Sequence, residues 1–276
     1  MYIVYDILYA IKRMMNNLII GCLYDKDSEK SLKAFNELAN LYDLIKVKDD
    51  NVNQLDIIIT LGGDGEMLRA LHMSKNVKVP IYGMNRGSMG FLLNEYHLND
   101  LMNRINNAQI VRLYPLKMIA TTEQGQMVEA HAFNEVSLLR ETNQTAKIRI
   151  IIDDITRMDA LYSDGILLAT PAGSTAYNFA AYGPIIPLNA NILALTPISP
   201  FRPRRWGGAL ISHKSKVRFE VLEFEKRPVS VVADSKEVRN VKFVEIYLDF
   251  STEKQLLFDK GNDLKERVFK EQFYKS

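Results

Sequence analysis

The chain has few of the residues that would indicate several common kinds of site. It has a single cysteine, Cys22, which excludes an internal disulfide framework and a zinc ribbon built on cysteines. Its 4 histidines never fall at a metal-ligand spacing such as HxxxH. Neither sign of charge is in excess, because 35 Lys and Arg stand against 33 Asp and Glu. A broad basic face for nucleic acid is therefore not expected.

The sequence also lacks a long hydrophobic run. The apolar stretch at residues 1–15 ends with Lys12 and Arg13, whereas a secretory signal carries its positive charge before the apolar run. The stretch is also too short to span a bilayer. We predict a leader or an extension ahead of an alternative start at Met14 or Met15, and a cytoplasmic protein that has no membrane partner.

A length of 276 residues is enough for two domains, each with its own core. In residues 16–110, apolar strands alternate with helical patterns, which predicts a Rossmann-like α/β domain on a parallel sheet. In residues 111–251, short strands follow one another with few long helices, which predicts an all-β, sandwich-like domain. Residues 252–276 recover a helical pattern over Asn262–Phe273, and we expect this helix to return to the N-terminal domain.

Apolar periodicity gives the predicted elements. The helices are Glu29–Leu41, Glu66–Met73 and a segment through Leu98–Ile105. The strands are Leu18–Leu23, Leu55–Leu61, Val77–Met84, Leu116–Thr122, Met127–Leu139, Lys147–Asp153, Gly165–Thr170, Val217–Glu223, Val229–Ala233 and Val244–Phe250.

The sharpest local motif is a glycine-rich turn, Gly62-Gly63-Asp64-Gly65, between a predicted strand and a predicted helix. Glycines let the backbone approach a ligand closely, and the N-terminus of the helix offers unpaired N–H groups to a phosphate. We therefore predict a phosphate loop of Gly62, Gly63 and Gly65. Asp64 is suited to hold a metal ion or to accept a proton from a substrate hydroxyl. A helix N-cap is the structural alternative for Asp64.

A second glycine cluster, NRGSMGFL at residues 85–92, follows the next predicted strand. Because successive parallel strands end at the same edge of a sheet, both glycine loops should border one crevice. Phe91 is either a core residue or a surface for a purine ring.

Two further motifs lie in the predicted β domain. Residues 170–178 read TPAGSTAYN, a tight turn of small and hydroxyl residues before a helix that should start near Ser174 or Thr175. A structural loop with a helix cap is the alternative. Asn134-Glu135 interrupts an apolar strand, and at least one of the pair should be buried because adjacent strand residues point to opposite faces. A buried Glu needs a partner, which a pair of ribose hydroxyls would supply.

Together these motifs resemble the NAD kinase family, in its bacterial, alphaproteobacterial-type form. The resemblance is carried by GGDG, NxGxxGFL, Asn134-Glu135, Asp164-Gly165 and TPAGSTAYN, in the family's order. It implies an enzyme that phosphorylates the 2′-hydroxyl of the adenosine ribose of NAD, with ATP as donor and a divalent metal ion such as Mg²⁺, to give NADP. It also implies a homo-oligomer, a tetramer or dimer, whose subunits share the site.

The resemblance also implies roles for individual residues. Asp64 would accept the proton of the 2′-hydroxyl, and no residue is assigned as a metal ligand. Glu66 stands where the family often has Thr or Asn, and Asp234-Ser235-Lys236 matches a region that usually ends in Gln. The residues implied to bind NAD are Asp64, Gly65, Arg69, Phe91, Asn134, Glu135, Asp164, Ala172, Thr175, Ala176, Tyr177, Asn178, Phe179 and Ala180.

Two other functions stay open on the sequence. A lipid kinase of the diacylglycerol or sphingosine type shares GGDG and a β-rich second domain, but it would need a membrane-facing patch that is not evident here. A catalytically silent dinucleotide sensor would keep the shape of the site without turnover, and the presence of Asp64 argues against it. A dehydrogenase is weaker still, because the GxGxxG fingerprint is missing.

Overall fold

The computed structural model describes residues 18–87 and 90–261. These residues divide into two compact units, one of residues 18–112 and 253–261 and the other of residues 113–252. The predicted leader and the predicted helix Asn262–Phe273 lie outside the described residues. Within them, no helix is long and apolar enough to cross a membrane.

The described elements are mostly strands. The helices are α1 (Glu29–Ala39), α2 (Asp64–Met73), α3 (Leu101–Asn106) and α4 (Tyr177–Ala180), with 3₁₀ turns at Val52–Gln54 and Ala172–Thr175. The strands are β1 (Ile20–Tyr24), β2 (Leu44–Lys46), β3 (Ile57–Gly62), β4 (Ile81–Asn85), β5 (Gln109–Leu113), β6 (Leu116–Thr122), β7 (Met127–Ala132), β8 (Glu135–Arg140), β9 (Ala146–Ile152), β10 (Ile155–Ser163), β11 (Gly165–Ala169), β12 (Ile192–Ile198), β13 (Ala209–Ser212), β14 (Val217–Val221), β15 (Val229–Ala233), β16 (Lys236–Val238), β17 (Val241–Leu248) and β18 (Lys254–Phe258).

The first unit is built on a six-stranded sheet with the order β2-β1-β3-β4-β18-β5. The pairs β1–β2, β1–β3, β3–β4 and β4–β18 are parallel. Every residue of β1 and β3 is buried, as expected for parallel strands that are covered on both faces. Cys22 lies within β1, and burial raises the pKa of its thiol to about 12. Parallel order places the turns after β1, β3 and β4 at one edge of this sheet.

The first sheet is completed by a strand from far along the chain. β18 lies between β4 and β5, with Leu256 opposite Ile81. The Lys254 side chain is buried, and its ammonium group donates to the carbonyls of Ser74 and Val77, just beyond the end of α2. Burial lowers the pKa of Lys254 to about 8. The sequence pattern gave no indication of this strand.

The second unit consists of two six-stranded sheets, with the orders β10-β9-β14-β17-β6-β7 and β13-β12-β11-β8-β15-β16. Neighbouring strands are antiparallel throughout both sheets. Buried and half-buried residues alternate along β6, so one face of the strand points into the core. Side chains from both sheets, including Met118 of β6 and Val136 of β8, form one hydrophobic cluster.

Several predicted elements of the second unit agree with the structure, and two do not. β6 and β15 have the predicted bounds. The prediction of one strand over Met127–Leu139 is wrong, because the chain leaves one sheet after Ala132 and enters the other at Glu135. The helix predicted near Ser174 is a 3₁₀ turn followed by the four-residue helix α4. No strand is predicted at β10, β12, β13 or β16. The outer strand β10 has mostly exposed or half-buried residues that give little apolar signal.

Candidate active site

The glycine-rich turn joins β3 directly to α2. β3 ends at Gly62, Gly63 is the N-cap residue and α2 begins at Asp64. A Cβ atom on Gly62 would lie 2.7 Å from the Cβ of Glu66, so the fold itself requires glycine there. A Cβ on Gly65 would meet nothing within 4 Å. The first turn of α2 is therefore open at Gly65, where a ligand can approach the backbone.

Asp64 ties this turn to the second glycine cluster. Its Oδ2 accepts the N–H of Phe91 at 2.9 Å, and its Oδ1 accepts the N–H of Leu92 at 3.0 Å. The backbone N–H of Arg86 also donates to Gly62 O at 2.8 Å. The two glycine clusters thus lie side by side, as the strand order predicts. The N-cap alternative for Asp64 is wrong, since Gly63 occupies that position and makes no side-chain cap bond.

Two charged residues on α2 form an ion pair beside this turn. Arg69 Nη1 lies 3.0 Å from Glu66 Oε1, with the Glu66 side chain 10% exposed and that of Arg69 45% exposed. Burial raises the pKa of Glu66, Arg69 opposes the shift, and the nearby Asp25 adds to it. Arg69, which the resemblance assigns to NAD, therefore already has a partner within the helix.

The Asn134-Glu135 motif forms the corner where the chain passes from β7 to β8. Asp234, in the turn between β15 and β16, binds the backbone of this corner. Its Oδ2 accepts the N–H of Phe133 at 2.7 Å, and its Oδ1 accepts those of Asn134 at 3.0 Å and Glu135 at 3.3 Å. Asp234 has a φ of 50° and donates its own N–H to Glu135 O at 3.2 Å. One carboxylate therefore fixes three successive backbone amides.

The TPAGSTAYN turn packs against the same corner. Thr170 donates its N–H to Asn134 O at 2.9 Å and its hydroxyl to Phe133 O at 2.6 Å. A Cβ on Gly173 would lie 2.1 Å from Asn134 O, so the close approach of the two backbones requires glycine. The structure thus brings together two motifs that are about 40 residues apart in the sequence.

Glu135 is the least satisfied polar side chain of this corner. Its Oε2 is buried and has no hydrogen-bond partner among the described residues. Burial, and second the charge of Asp234, raise the pKa of Glu135 to about 7. The charges of Glu135 and Asp164 contribute, after burial, to a raised pKa of Tyr177. The charges of Glu135 and Asp164 therefore both act on Tyr177, and a buried oxygen of Glu135 is left for a further partner.

Two known protein-family domains also match this chain. The ATP-NAD kinase N-terminal domain matches residues 15–110, and the ATP-NAD kinase C-terminal domain matches residues 133–258. The chain belongs to the NAD kinase family. The resemblance inferred from the motifs is confirmed, and the protein is accordingly a kinase, that is, a phosphotransferase.

Similar proteins support the family over most of the chain. The NAD kinase of Caulobacter vibrioides is 49% identical over 266 residues, which cover 96% of this chain and 99% of that protein. The NAD kinase of Brucella suis biovar 1 is 50% identical over 246 residues, which cover 89% of this chain and 94% of that protein. Neither the lipid kinase nor the silent sensor is favoured by these relatives.

Solved structures show the same fold at lower identity. Yeast NADH kinase complexed with NADH has a TM-score of 0.80 at 20% identity, covering 94% of this chain and 89% of that chain. An NAD kinase from Archaeoglobus fulgidus in complex with ATP has a TM-score of 0.75 at 23% identity, covering 92% of this chain and 98% of that chain.

The other residues that the resemblance assigns to NAD differ in exposure and in hydrogen-bond partners. Phe91 is half-buried, and its backbone N–H binds Asp64. Asp164 lies between β10 and β11, where its carboxylate accepts from Arg140 Nε. The other residues implied to bind NAD divide by exposure: Ala172 is buried, Thr175 and Ala176 are half-buried, and Phe179 and Ala180 are exposed.

The side chain of Asn178 holds the loop together. The side chain is fully buried, and its Nδ2 donates to Ser174 O at 3.1 Å and Pro184 O at 3.0 Å. Its Oδ1 accepts the hydroxyl of Thr196 at 2.7 Å. Both donors and the acceptor of the amide are thus used inside the unit, and the NAD contact that the resemblance implies for Asn178 stays a prediction.

Asp234 is the residue that sequence reasoning missed. The resemblance covers Asp234-Ser235-Lys236 but implies no role in the site for Asp234. Its position between two apolar β segments indicates a turn, and an Asp tolerates the left-handed conformation that the turn requires. The three amides it binds lie about 100 residues earlier, so no local pattern identifies them.

Proposed function

We propose that this NAD kinase transfers the γ-phosphoryl group of ATP to the 2′-hydroxyl of the adenosine ribose of NAD, with Asp64 as the base. The 2′-oxygen forms a bond to the γ-phosphorus, the bond from that phosphorus to the β,γ-bridging oxygen breaks, and ADP leaves. The hydroxyl proton passes to the Asp64 carboxylate. NADP is the product.

The placement of Asp64 is the observation that carries this proposal. Two backbone amides at 2.9 and 3.0 Å fix both of its oxygens in one position. The neighbouring Gly65 leaves the first turn of α2 open. Phosphoryl transfer depends mainly on positioning and charge neutralisation, which suits a rigid carboxylate beside an open helix N-terminus.

The phosphate loop supplies backbone donors. The first N–H groups of a helix have no partner within the helix, and the helix dipole makes this end favourable for an anion. We assign Gly62, Gly63 and Gly65 to this loop, where the absence of side chains lets phosphate oxygens reach the amides.

The described residues do not form a metal site of their own. They contain no group of three or more His, Cys, Asp or Glu side chains placed to hold a metal ion. Mg²⁺ is commonly bound by substrate phosphates with one or two carboxylates, so we assign the divalent ion to the ATP phosphates. When bound there, it neutralises phosphate charge.

In the second unit, the proposed NAD contacts centre on the corner and the TPAGSTAYN turn. They are Asn134, Glu135, Asp164, Thr175, Ala176 and Tyr177.

Phe179 is 42% exposed and Tyr182 is 98% exposed, and such apolar surface is a candidate subunit contact. A homo-oligomer, tetramer or dimer, with a shared site, and a cytoplasmic location complete the proposal. Light scattering of the purified protein measures the oligomeric state.

One assay separates the candidate functions. The protein is incubated with ATP, Mg²⁺ and NAD, and NADP is detected through an NADP-specific dehydrogenase, with NADH and polyphosphate as alternative acceptor and donor. NADP formation supports the proposal. NAD binding without product indicates a sensor, and phosphorylation of diacylglycerol without NADP indicates a lipid kinase.

A further inference from the structure

Two acidic side chains, Asp234 and Glu135, belong to the corner between β7 and β8, and their hydrogen-bond partners differ. The Asp234 carboxylate accepts three backbone N–H groups at 2.7 to 3.3 Å. The Glu135 carboxyl group has a buried Oε2 with no hydrogen-bond partner among the described residues. Donors stabilise the charged form of a carboxyl group, and burial without donors disfavours it. The surroundings therefore disfavour the charged form of Glu135.

The other groups that act on Glu135 do not reverse this preference. Asp234 reaches Glu135 from the turn between β15 and β16 and raises its pKa in addition to burial. Tyr177 faces it from the segment after the 3₁₀ turn and has a raised pKa itself, so its phenol stays neutral near pH 7. Asp164, which also acts on Tyr177, is paired with Arg140. Glu135 therefore keeps its proton up to about pH 7 and loses it above that.

We propose that Glu135 meets the dinucleotide in its neutral form, with the carboxyl O–H donating to an acceptor atom of the ligand. Asp234 is the positioning residue: its charge keeps the proton on Glu135, and its bonds to the backbone fix the corner. This inference rests on the proposed function, since it concerns the same NAD site. It assigns Glu135 a donor role that a charged carboxylate could not perform, because an ionised carboxylate only accepts.

The inference predicts how NAD affinity depends on pH. The complex requires the proton, so the dissociation constant of NAD is constant below about pH 6. Above the pKa of about 7 it rises, approaching tenfold for each further pH unit because one proton is linked to binding.

Calorimetric titration of NAD between pH 5.5 and 8.5 tests this on the full chain. The wild type is expected to lose affinity above pH 7. Glu135→Gln carries a permanent N–H donor, so its NAD affinity is expected to be independent of pH. In Asp234→Asn the loss of affinity is expected to begin at lower pH, because the repelling charge is gone. Glu237→Gln, at an exposed glutamate on β16, is the matched control and should keep the wild-type profile.

A second measurement does not depend on NAD. In protein labelled with ¹³C at glutamate carboxyls, the signal that disappears in Glu135→Gln should titrate near pH 7 in the wild type. A midpoint near 4.5, or a wild-type NAD profile that is flat or matches that of Glu135→Gln, overturns the inference while leaving the proposed function intact. Absence of NAD binding at every pH, with NAD kinase activity also absent, overturns both. If Asp234→Asn does not fold, the comparison of wild type with Glu135→Gln still decides.

Discussion

In both units an aspartate carboxylate binds the backbone amides of a candidate site loop. The units differ in whether that same aspartate is also the group proposed to act on the ligand. In the first unit, Asp64 accepts two successive amides and is itself the proposed base. In the second unit, Asp234 accepts three successive amides, whereas the neighbouring Glu135 is the group proposed to meet the ligand. In the first unit, one side chain therefore both fixes the loop and acts on the substrate. In the second unit, Asp234 fixes the loop and Glu135 contacts the ligand. Substitutions can separate the two roles only in the second.

The largest effect is expected from Asp64→Asn. Loss of a general base typically lowers the rate about 10²- to 10⁴-fold. An Asn also keeps only one acceptor oxygen, so either Phe91 or Leu92 loses its bond. We expect kcat to fall within that range while NAD still binds, as measured by the coupled NADP assay and by calorimetry. Asp234→Asn is the matched variant, and near pH 7 it should change the affinity for NAD more than kcat. Full activity of Asp64→Asn would refute its role as base.

Two glycine substitutions compare a position that the fold requires with one that it does not. In Gly173→Ala the new methyl group would clash with the backbone of Asn134, so we expect a loss of several kcal/mol of stability in thermal unfolding. Gly65→Ala meets no neighbour, and alanine favours a helix by about 1 kcal/mol, so the melting temperature should not fall. NADP formation by Gly65→Ala should nevertheless drop, because the methyl group obstructs the phosphate loop. Unchanged activity would argue against that loop.

A smaller effect is expected from Asn178→Ala. The substitution leaves Ser174 O and Pro184 O without the side-chain donor and Thr196 without its acceptor, and unsatisfied buried groups cost about 1–3 kcal/mol. We expect lower stability in urea unfolding, with NAD affinity retained at low temperature where the protein is folded. A large loss of NAD affinity in fully folded protein would show that the Asn178 side chain contacts NAD directly. Thr196→Val is the control, because it removes the hydroxyl that binds Asn178 but leaves the Asn178 side chain in place.

The smallest effect is expected from Arg69→Gln. The Arg69 guanidinium is 45% exposed and already has Glu66 as a partner, so solvent screens its charge. We expect KM for NAD to change by no more than about threefold, within the range of one weak contact. An increase of more than tenfold in Arg69→Gln, with Glu66→Gln unaffected, would show that Arg69 leaves Glu66 and binds phosphate.

Local patterns predicted the parts of the fold and site that depend on neighbours in sequence. The apolar run before Gly62 and the glycines after it were enough to place a strand, a turn and a helix. The break at Asn134 was not predictable as a change of sheet, because the residues that enforce it, Thr170 and Asp234, lie far along the chain. The internal role of Asn178 depends in the same way on Thr196. Long-range hydrogen bonds, rather than propensity, decide these positions.

The strand β18 has a consequence for the order in which the protein forms during synthesis. Residues 113–252 leave the ribosome before Lys254–Phe258, which fill the gap between β4 and β5 and bring the buried ammonium group of Lys254 to the end of α2. Domains usually form in the order in which they are translated. Here the second unit can fold first, whereas the first unit, which carries Asp64, cannot complete its sheet until β18 has been synthesised. The proposed catalytic half of the enzyme is begun first and completed last.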